Sequence, residues 1–496
     1  MLEDLEKRIK RQVHGKLHRF TAVVPLGFEA TLVQELRQIG VAAKDDSFET
    51  ADGKVTFVAK LTEAWKAVAH SRIANRVLMD IASFKAENFR ELEKKAAEIP
   101  WELYLKFGIR NSDFGINDNQ SSWNAATKFN ALGIHVTCKH SRLYHSDAVA
   151  ERLYNVIKGG SFPLAPAPCH PGPGTQSGVN SGGDLLAASA TPSAGTPRNA
   201  PPQDKPSSQN LFVTLIDDRC TVSLDLAGEE LYKRGHQRFV NDAPLKETIA
   251  AAMLFEAIHC SKGESRPHSS KPDTSGELIT LIDPMAGSGT FSLEAAYMAS
   301  GLIPGKCRDF ALKHQPAFKE ASWNYLTHVI QSGKAAKDPV QNHDSSIIKI
   351  LTSDISERAV EIIRHNVECS PLAKIEPALT DPQQKDFFSY TPEEISNIGH
   401  DTSNGSSNAR VIIVLNPPYG KRLDADAPKL YARIGKKLSE LAQGIGRPLV
   451  VAILAPKGAC TDNLLKNCPA LATPDTKQIK TSHGGISLNC FVGKIF

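Results

Sequence analysis

LITLIDPMAGSGTFSLEAAYMA, residues 278–299, decides how the chain is read. An apolar run ends at Asp283, a glycine-rich turn follows at Gly287-Ser288-Gly289, and a helical pattern begins at Thr290. The run has the length and character of a buried parallel strand. A glycine turn at its carboxyl end lies where open α/β sheets bind ligands, and glycine lets backbone approach a ligand closely. The stretch lacks the third glycine of the dinucleotide fingerprint. It also lacks the Gly-Lys-Ser/Thr that closes a P-loop. Taken alone, it fits either a ligand-binding loop or a plain tight turn.

The surrounding sequence repeats the strand–helix alternation. Strands are predicted at 278–282, 347–351, 411–415 and 449–454, with helices such as FSLEAAYMAS and SERAVEIIRHNVE between them. This pattern predicts a doubly wound, mostly parallel sheet. Two strand-like runs flank Gly484-Gly485, the signature of a terminal antiparallel hairpin. Asp354 follows the second strand and suits either a ribose diol or a helix N-cap. Asp386-Phe387-Phe388 could accept from an adenine amine and cover its ring, or be a loop acid beside core aromatics.

The stretch VIIVLNPPYGKRL, 411–423, ends a strand on Asn416, Pro417, Pro418 and Tyr419. Prolines fix φ and offer no N–H. The Asn416 side-chain oxygen and the Pro417 carbonyl are therefore rigid acceptors without a competing donor. Two acceptors aimed at a planar amine favour a pyramidal nitrogen and stabilise the charge that develops on attack. Tyr419 offers a face on which an extruded base can stack. Lys421 and Arg422 fit either a phosphate grip or an exposed loop pair. In order, a glycine loop, an acid, an Asp-Phe and an Asn-Pro-Pro-Tyr describe a nucleoside cofactor lying across the strand ends beside a polar pocket.

The 496 residues are enough for two or more domains, and 41% hydrophobic content supports sizeable cores. Net charge is +4, with a basic cluster at 7–19 that suits nucleic acid or a solvated helix face. No secretory leader or apolar run of membrane-spanning length is visible. The nine cysteines form no C-x-x-C pair, so neither a zinc knuckle nor a disulfide framework is expected. Neither a metal nor a membrane partner is expected, and a reducing cytoplasm is the expected home. Nearly half of residues 159–210 are Gly, Pro or Ser, which predicts a flexible linker. It divides an α+β region, 16–158, from the strand–helix region, 211–496.

The set DPMAGSGTF, SDIS, DFF and NPPYG resembles the class I S-adenosylmethionine-dependent methyltransferases that act on exocyclic amines. FTAVVPLGFEATLVQELRQIGV (20–41) and LYKRGHQR…NDAPLKETIAAAML (231–254) narrow the resemblance to the THUMP-domain RNA methyltransferases. The nearest type is the RlmL-like 23S rRNA guanine-N2 family. The resemblance implies a ferredoxin-like/THUMP region before a Rossmann-like domain with a mostly parallel seven-stranded sheet. It implies S-adenosylmethionine as cofactor. Asp283, Ala286, Gly287, Ser288, Gly289, Thr290, Asp354, Ile355, Asp386, Phe387 and Asn416 would hold it, and Asn416 to Tyr419 would carry catalysis. RNA, 23S rRNA or a large-subunit assembly intermediate, is the implied partner. Lys128, Lys139, Arg142, Lys421 and Arg422 are its candidate contacts, with the N-terminal half choosing the RNA. Some relatives carry a second methyltransferase domain; the sequence ends at Phe496, so a single activity is expected. Related readings are a tRNA guanine-N2 methyltransferase, a DNA adenine-N6 or protein glutamine methyltransferase, and a non-catalytic RNA-binding assembly factor.

Overall fold

The computed structural model describes residues 2–106, 132–159, 209–240, 244–262, 278–328, 346–375, 378–398, 409–419 and 426–496. The expected linker lies almost wholly outside these residues, as do Lys128, Lys421 and Arg422.

Two seven-stranded sheets organise the chain. The first holds β1 (His18–Val23), β2 (Phe48–Ala51), β3 (Lys54–Ala59), β4 (Arg76–Lys85), β5 (Leu132–Lys139), β6 (Gln209–Ile216) and β7 (Arg219–Asp225). Its order is β2-β3-β1-β4-β7-β6-β5, antiparallel except for β5 beside β6. Residues 211–225, which the sequence reading joins to the C-terminal region, belong here instead. β7 pairs along β4 from Leu78↔Asp225 to Lys85↔Arg219. The cause is alternation: β6 buries every second residue from Gln209 to Leu215, so it needs one apolar face covered. Gln209 and Asn210, read as linker, already pair with Leu132 and Gly133.

The second sheet holds β8 (Ile279–Asp283), β9 (Ile347–Asp354), β10 (Gln383–Gln384), β11 (Arg410–Leu415), β12 (Leu449–Pro456), β13 (Lys477–His483) and β14 (Ile486–Ile495). The order is β10-β9-β8-β11-β12-β14-β13. The first five strands run parallel, and β14 and β13 are antiparallel. This is the mostly parallel seven-stranded sheet the motifs imply, closed by the expected hairpin. β8 and all but the first residue of β11 are buried throughout, which explains their unbroken apolar runs.

The halves are packed together. Helix Glu247–Lys262 is buried on nearly all sides and joins one apolar core that includes Phe20 and Leu32 of the first half and Ile412 and Val450 of the second. Buried polar contacts cross the seam. Thr31 donates to Glu256 at 2.5 Å, and Arg72 donates to the carbonyls of Tyr297 and Leu302 at 3.0 and 2.5 Å. A side chain at Gly27 would lie 2.2 Å from the Lys480 carbonyl, so backbone meets backbone there. No described helix is long and apolar enough to cross a membrane.

Candidate active site

The carboxyl ends of β8, β9 and β11 open onto one cavity of about 440 Å³. That size lies within the range of small-molecule sites.

The glycine loop forms one wall. Gly287 and Gly289 have φ of +57° and +78°, a region that side chains resist. At Gly287 an added Cβ would meet nothing within 4 Å; at Gly289 it would lie 3.1 Å from Ile363. The loop is tied across to β9: Ala286 N–H donates to the Ser353 carbonyl at 3.1 Å, and Gly287 N–H donates to Asp354 Oδ2 at 2.8 Å. Asp354 Oδ1 accepts from Ser356 N–H at 2.9 Å. The side-chain N-cap of the following helix is Ser356, so that alternative role for Asp354 falls away. Asp354 and the exposed Ile355 line the cavity.

Asp283 lies beneath the loop, fully buried, and does not line the cavity. Its Oδ2 accepts from the backbone N–H and hydroxyl of Ser292 at 3.2 and 2.7 Å, while Oδ1 has no partner among the described residues. Burial, reinforced by the nearby Asp354 charge, pushes its carboxyl up to about 7.

Asp386, Phe387 and Phe388 form a further side. Asp386 Oδ1 accepts from Phe388 N–H at 3.0 Å, and Lys385 N–H donates to the Asp354 carbonyl at 2.9 Å. This pins the Asp-Phe turn to the end of β9. The Arg433 guanidinium sits 4.1 Å over the Phe388 ring.

On the remaining wall, Asn416 directly follows β11. Its Oδ1 is buried and has no partner among the described residues. Such an atom costs free energy unless a ligand completes it. Pro418 lines the cavity beside it, and Pro417 is buried behind. The Tyr419 hydroxyl lies 3.3 Å from Nδ1 of His483 at the tip of β13.

The structure therefore gathers Ala286, Gly287, Ser288, Thr290, Asp354, Ile355, Asp386, Phe387, Asn416 and Pro418 around one space. Asp283, Gly289, Pro417 and Tyr419 stand outside its lining. Sequence reading missed Pro244, Leu245, Met285, Phe291, Leu430 and Arg433. Leu430 and Arg433, three apart on helix Ala427–Ile445, share a face. That spacing was the available signal. Among the described residues, no group of three or more His, Cys, Asp or Glu could hold a metal ion.

The candidate RNA contacts on the first sheet look different. Lys139 is exposed, but Arg142 is ion-paired with both Glu87 and Asp218. Much of its charge is already balanced locally.

Residues 274–472 match the family described as the RMKL-like methyltransferase domain, and residues 19–78 match the RlmL ferredoxin-like domain. A ribosomal RNA large subunit methyltransferase K/L of Allochromatium vinosum is 27% identical over 433 residues, covering 85% of this chain and 46% of that protein. YpsC of Bacillus subtilis is 24% identical over 428 residues, covering 86% of each. In fold, the chain superposes on SMU.472, crystallised with SAH, with a TM-score of 0.63 at 20% identity, covering 96% and 98% of the two chains. The chain spans about half the length of the K/L relatives it matches.

Proposed function

We propose that this chain, which carries an RlmL ferredoxin-like domain and an RMKL-like methyltransferase domain, transfers a methyl group from S-adenosylmethionine to the exocyclic N2 amine of a guanine in RNA, with 23S rRNA the leading substrate. The observation that carries the reading is Asn416, which lines the same cavity as the glycine loop and whose buried Oδ1 has no partner among the described residues. An acceptor left open at that place fits an N–H donor that arrives with the substrate.

The residues present fit the cofactor. Asp354, held by two backbone N–H groups, would accept the ribose hydroxyls with its remaining lone pairs. Asp386 and the Phe387-Phe388 pair would hold the adenine, and the side-chain-free edge of Gly287 leaves room for the nucleoside. When bound, S-adenosylmethionine supplies an electrophilic methyl group.

The chain's own part is to prepare the nucleophile. The lone pair of a guanine N2 amine is delocalised into the ring. Asn416 Oδ1 and the Pro417 carbonyl would accept from its two hydrogens, draw the nitrogen toward a pyramidal shape and stabilise the positive charge on it. The His483 contact orients the Tyr419 ring, on which the extruded base would stack. The methylated ammonium is acidic enough to lose its proton without a dedicated strong base. Residues of the first sheet would recruit the RNA, chiefly through phosphates.

The test is transfer of labelled methyl from S-adenosylmethionine to unmodified 23S rRNA, 16S rRNA and bulk tRNA in parallel. Label confined to one guanine of 23S rRNA is the expected result. Label in tRNA alone would move the substrate, and no transfer to any RNA would overturn the reading.

A further inference from the structure

Residues 7–19, KRIKRQVHGKLHR, hold six Lys or Arg and no acid, and the fold gives them a fixed shape. Ile9 and Val13 are buried in the apolar core. Gly15 N–H donates to the Lys10 carbonyl, five residues back, at 2.9 Å, so helix Leu2–Ile9 widens into a π turn at Lys10–His14. A side chain at Gly15 would lie 2.9 Å from the Arg11 carbonyl, so this closure needs glycine. His18 Nε2 then lies 2.8 Å from the Val13 carbonyl as β1 begins.

Arg8 is ion-paired with Glu102, and Arg19 with Glu49. Between them, Lys10, Arg11 and Lys16 are exposed and pair with no acid among the described residues. Two lysines join them from distant parts of the chain. His18 pairs with Ala59 across β1 and β3, which brings the exposed Lys60 beside Leu17. The His14 ring meets Trp65 edge-on at 6.1 Å, and Trp65 meets Phe318 at 5.7 Å, which brings the exposed Lys319 to the same place. Neither lysine has an acid partner among the described residues. The histidines feel the resulting field. Burial, reinforced by Lys319, holds the His14 imidazolium below its usual range, and burial, reinforced by Lys16, does the same for His18. The end of β5 is the opposite case: Lys85 and Arg142 share Glu87, and Arg142 also meets Asp218.

Five uncompensated cations held on one surface repel each other and build a positive potential. A polyanion relieves that repulsion and sheds its own counterions on binding. From this surface β1 runs about 20 Å toward the seam where Gly27 meets the Lys480 carbonyl. There β13 continues from Lys480 to His483, beside Tyr419. One folded RNA can therefore occupy both places.

We infer that Lys10, Arg11, Lys16, Lys60 and Lys319 form a phosphate-binding surface for RNA, away from the target nucleotide. It rests on the RNA substrate proposed above. Such contacts set register and affinity and read no base. Lys10, Arg11 and Lys16 lie ahead of residues 19–78, the stretch that matches the RlmL ferredoxin-like domain.

Filter binding of the full chain to unmodified 23S rRNA and to bulk tRNA, across a potassium chloride series, tests this. The triple variant Lys10→Gln, Arg11→Gln, Lys16→Gln should bind RNA about tenfold more weakly at low salt. Its plot of log affinity against log salt should be shallower by about two to three, close to one for each lost phosphate contact. Lys60→Gln with Lys319→Gln should flatten the plot by about one and a half, and this pair carries the test if the triple variant fails to fold. Calorimetry should give native affinity for S-adenosylhomocysteine in both variants. Arg142→Gln, where the charge is already balanced, should leave the slope nearly native. Folded variants with native affinity and slope would overturn the surface, as would an Arg142→Gln effect as large as that of the triple variant. A native protein that binds neither RNA would overturn the surface and the RNA reading together. Salt-sensitive binding that the variants lose, without methyl transfer to any RNA, would support the surface and overturn the function proposed above.

Discussion

The loop residues that line the cavity are engaged by neighbours within the fold, whereas the wall beyond β11 has an acceptor left over. On the loop, Gly287 N–H is held by Asp354, the Ser288 carbonyl by Asn366, and the Ser288 and Thr290 oxygens by Arg238. What remains there are hydroxyl protons, which are donors. Just beyond β11, Asn416 Oδ1 is buried without a partner among the described residues. The two walls thus keep open groups of opposite kind. One suits a ligand group that accepts hydrogen bonds, and the other suits one that donates. Buried polar groups without partners destabilise a fold, so their survival at a cavity points to a ligand that completes them.

The sharpest way to break this contrast is to delete the open acceptor. Asn416→Ala should lower single-turnover methyl transfer by about 100- to 1000-fold, the loss seen when one preorganised charge-stabilising group is removed. Calorimetry with S-adenosylhomocysteine should show near-native affinity, because the role proposed for Asn416 is on the amine. The next effect falls on the other wall. Asp354→Ala removes the proposed ribose acceptor and frees Gly287 N–H. Cofactor affinity should fall about ten- to a hundredfold, and transfer should recover substantially at saturating cofactor.

Smaller effects sharpen the picture of the loop itself. Gly287→Ala meets open space and should cost only the backbone strain, about 1–2 kcal/mol. Gly289→Ala adds the clash with Ile363, about 1–3 kcal/mol more, so thermal melts should rank it below Gly287→Ala. The last effect is a pH slope. Asp283 has its carboxyl raised from 3.8 to about 7 by burial. The folded protein therefore binds a proton that the unfolded chain releases between about pH 4 and 7, and stability attributable to this group falls as pH rises through that window. Asp283→Asn should flatten that part of the profile in urea titrations at stepped pH.

Much of this wall-by-wall arrangement was legible in the sequence. β8 and β11 are buried nearly end to end, so their apolar runs stand out, and both end abruptly in polar or glycine residues. Other parts were not legible, because they depend on pairing across long intervals. β6 and β7 join the first sheet across the 160–208 segment, which no local pattern records. Arg433 reaches the cavity through packing of its helix over Phe388. Asp283 ends a strand as a site residue should, yet hydrogen bonds to Ser292 turn it under the loop. The charge on Arg142 looked available in sequence, but Glu87 and Asp218, distant in the chain, balance it.

The central claim is that the open acceptor at Asn416 serves an exocyclic guanine amine. Its most direct test is digestion of RNA methylated by this chain to single nucleosides, with separation of the labelled products. The account predicts label in N2-methylguanosine. Label in N6-methyladenosine, or on a ring carbon, would contradict it.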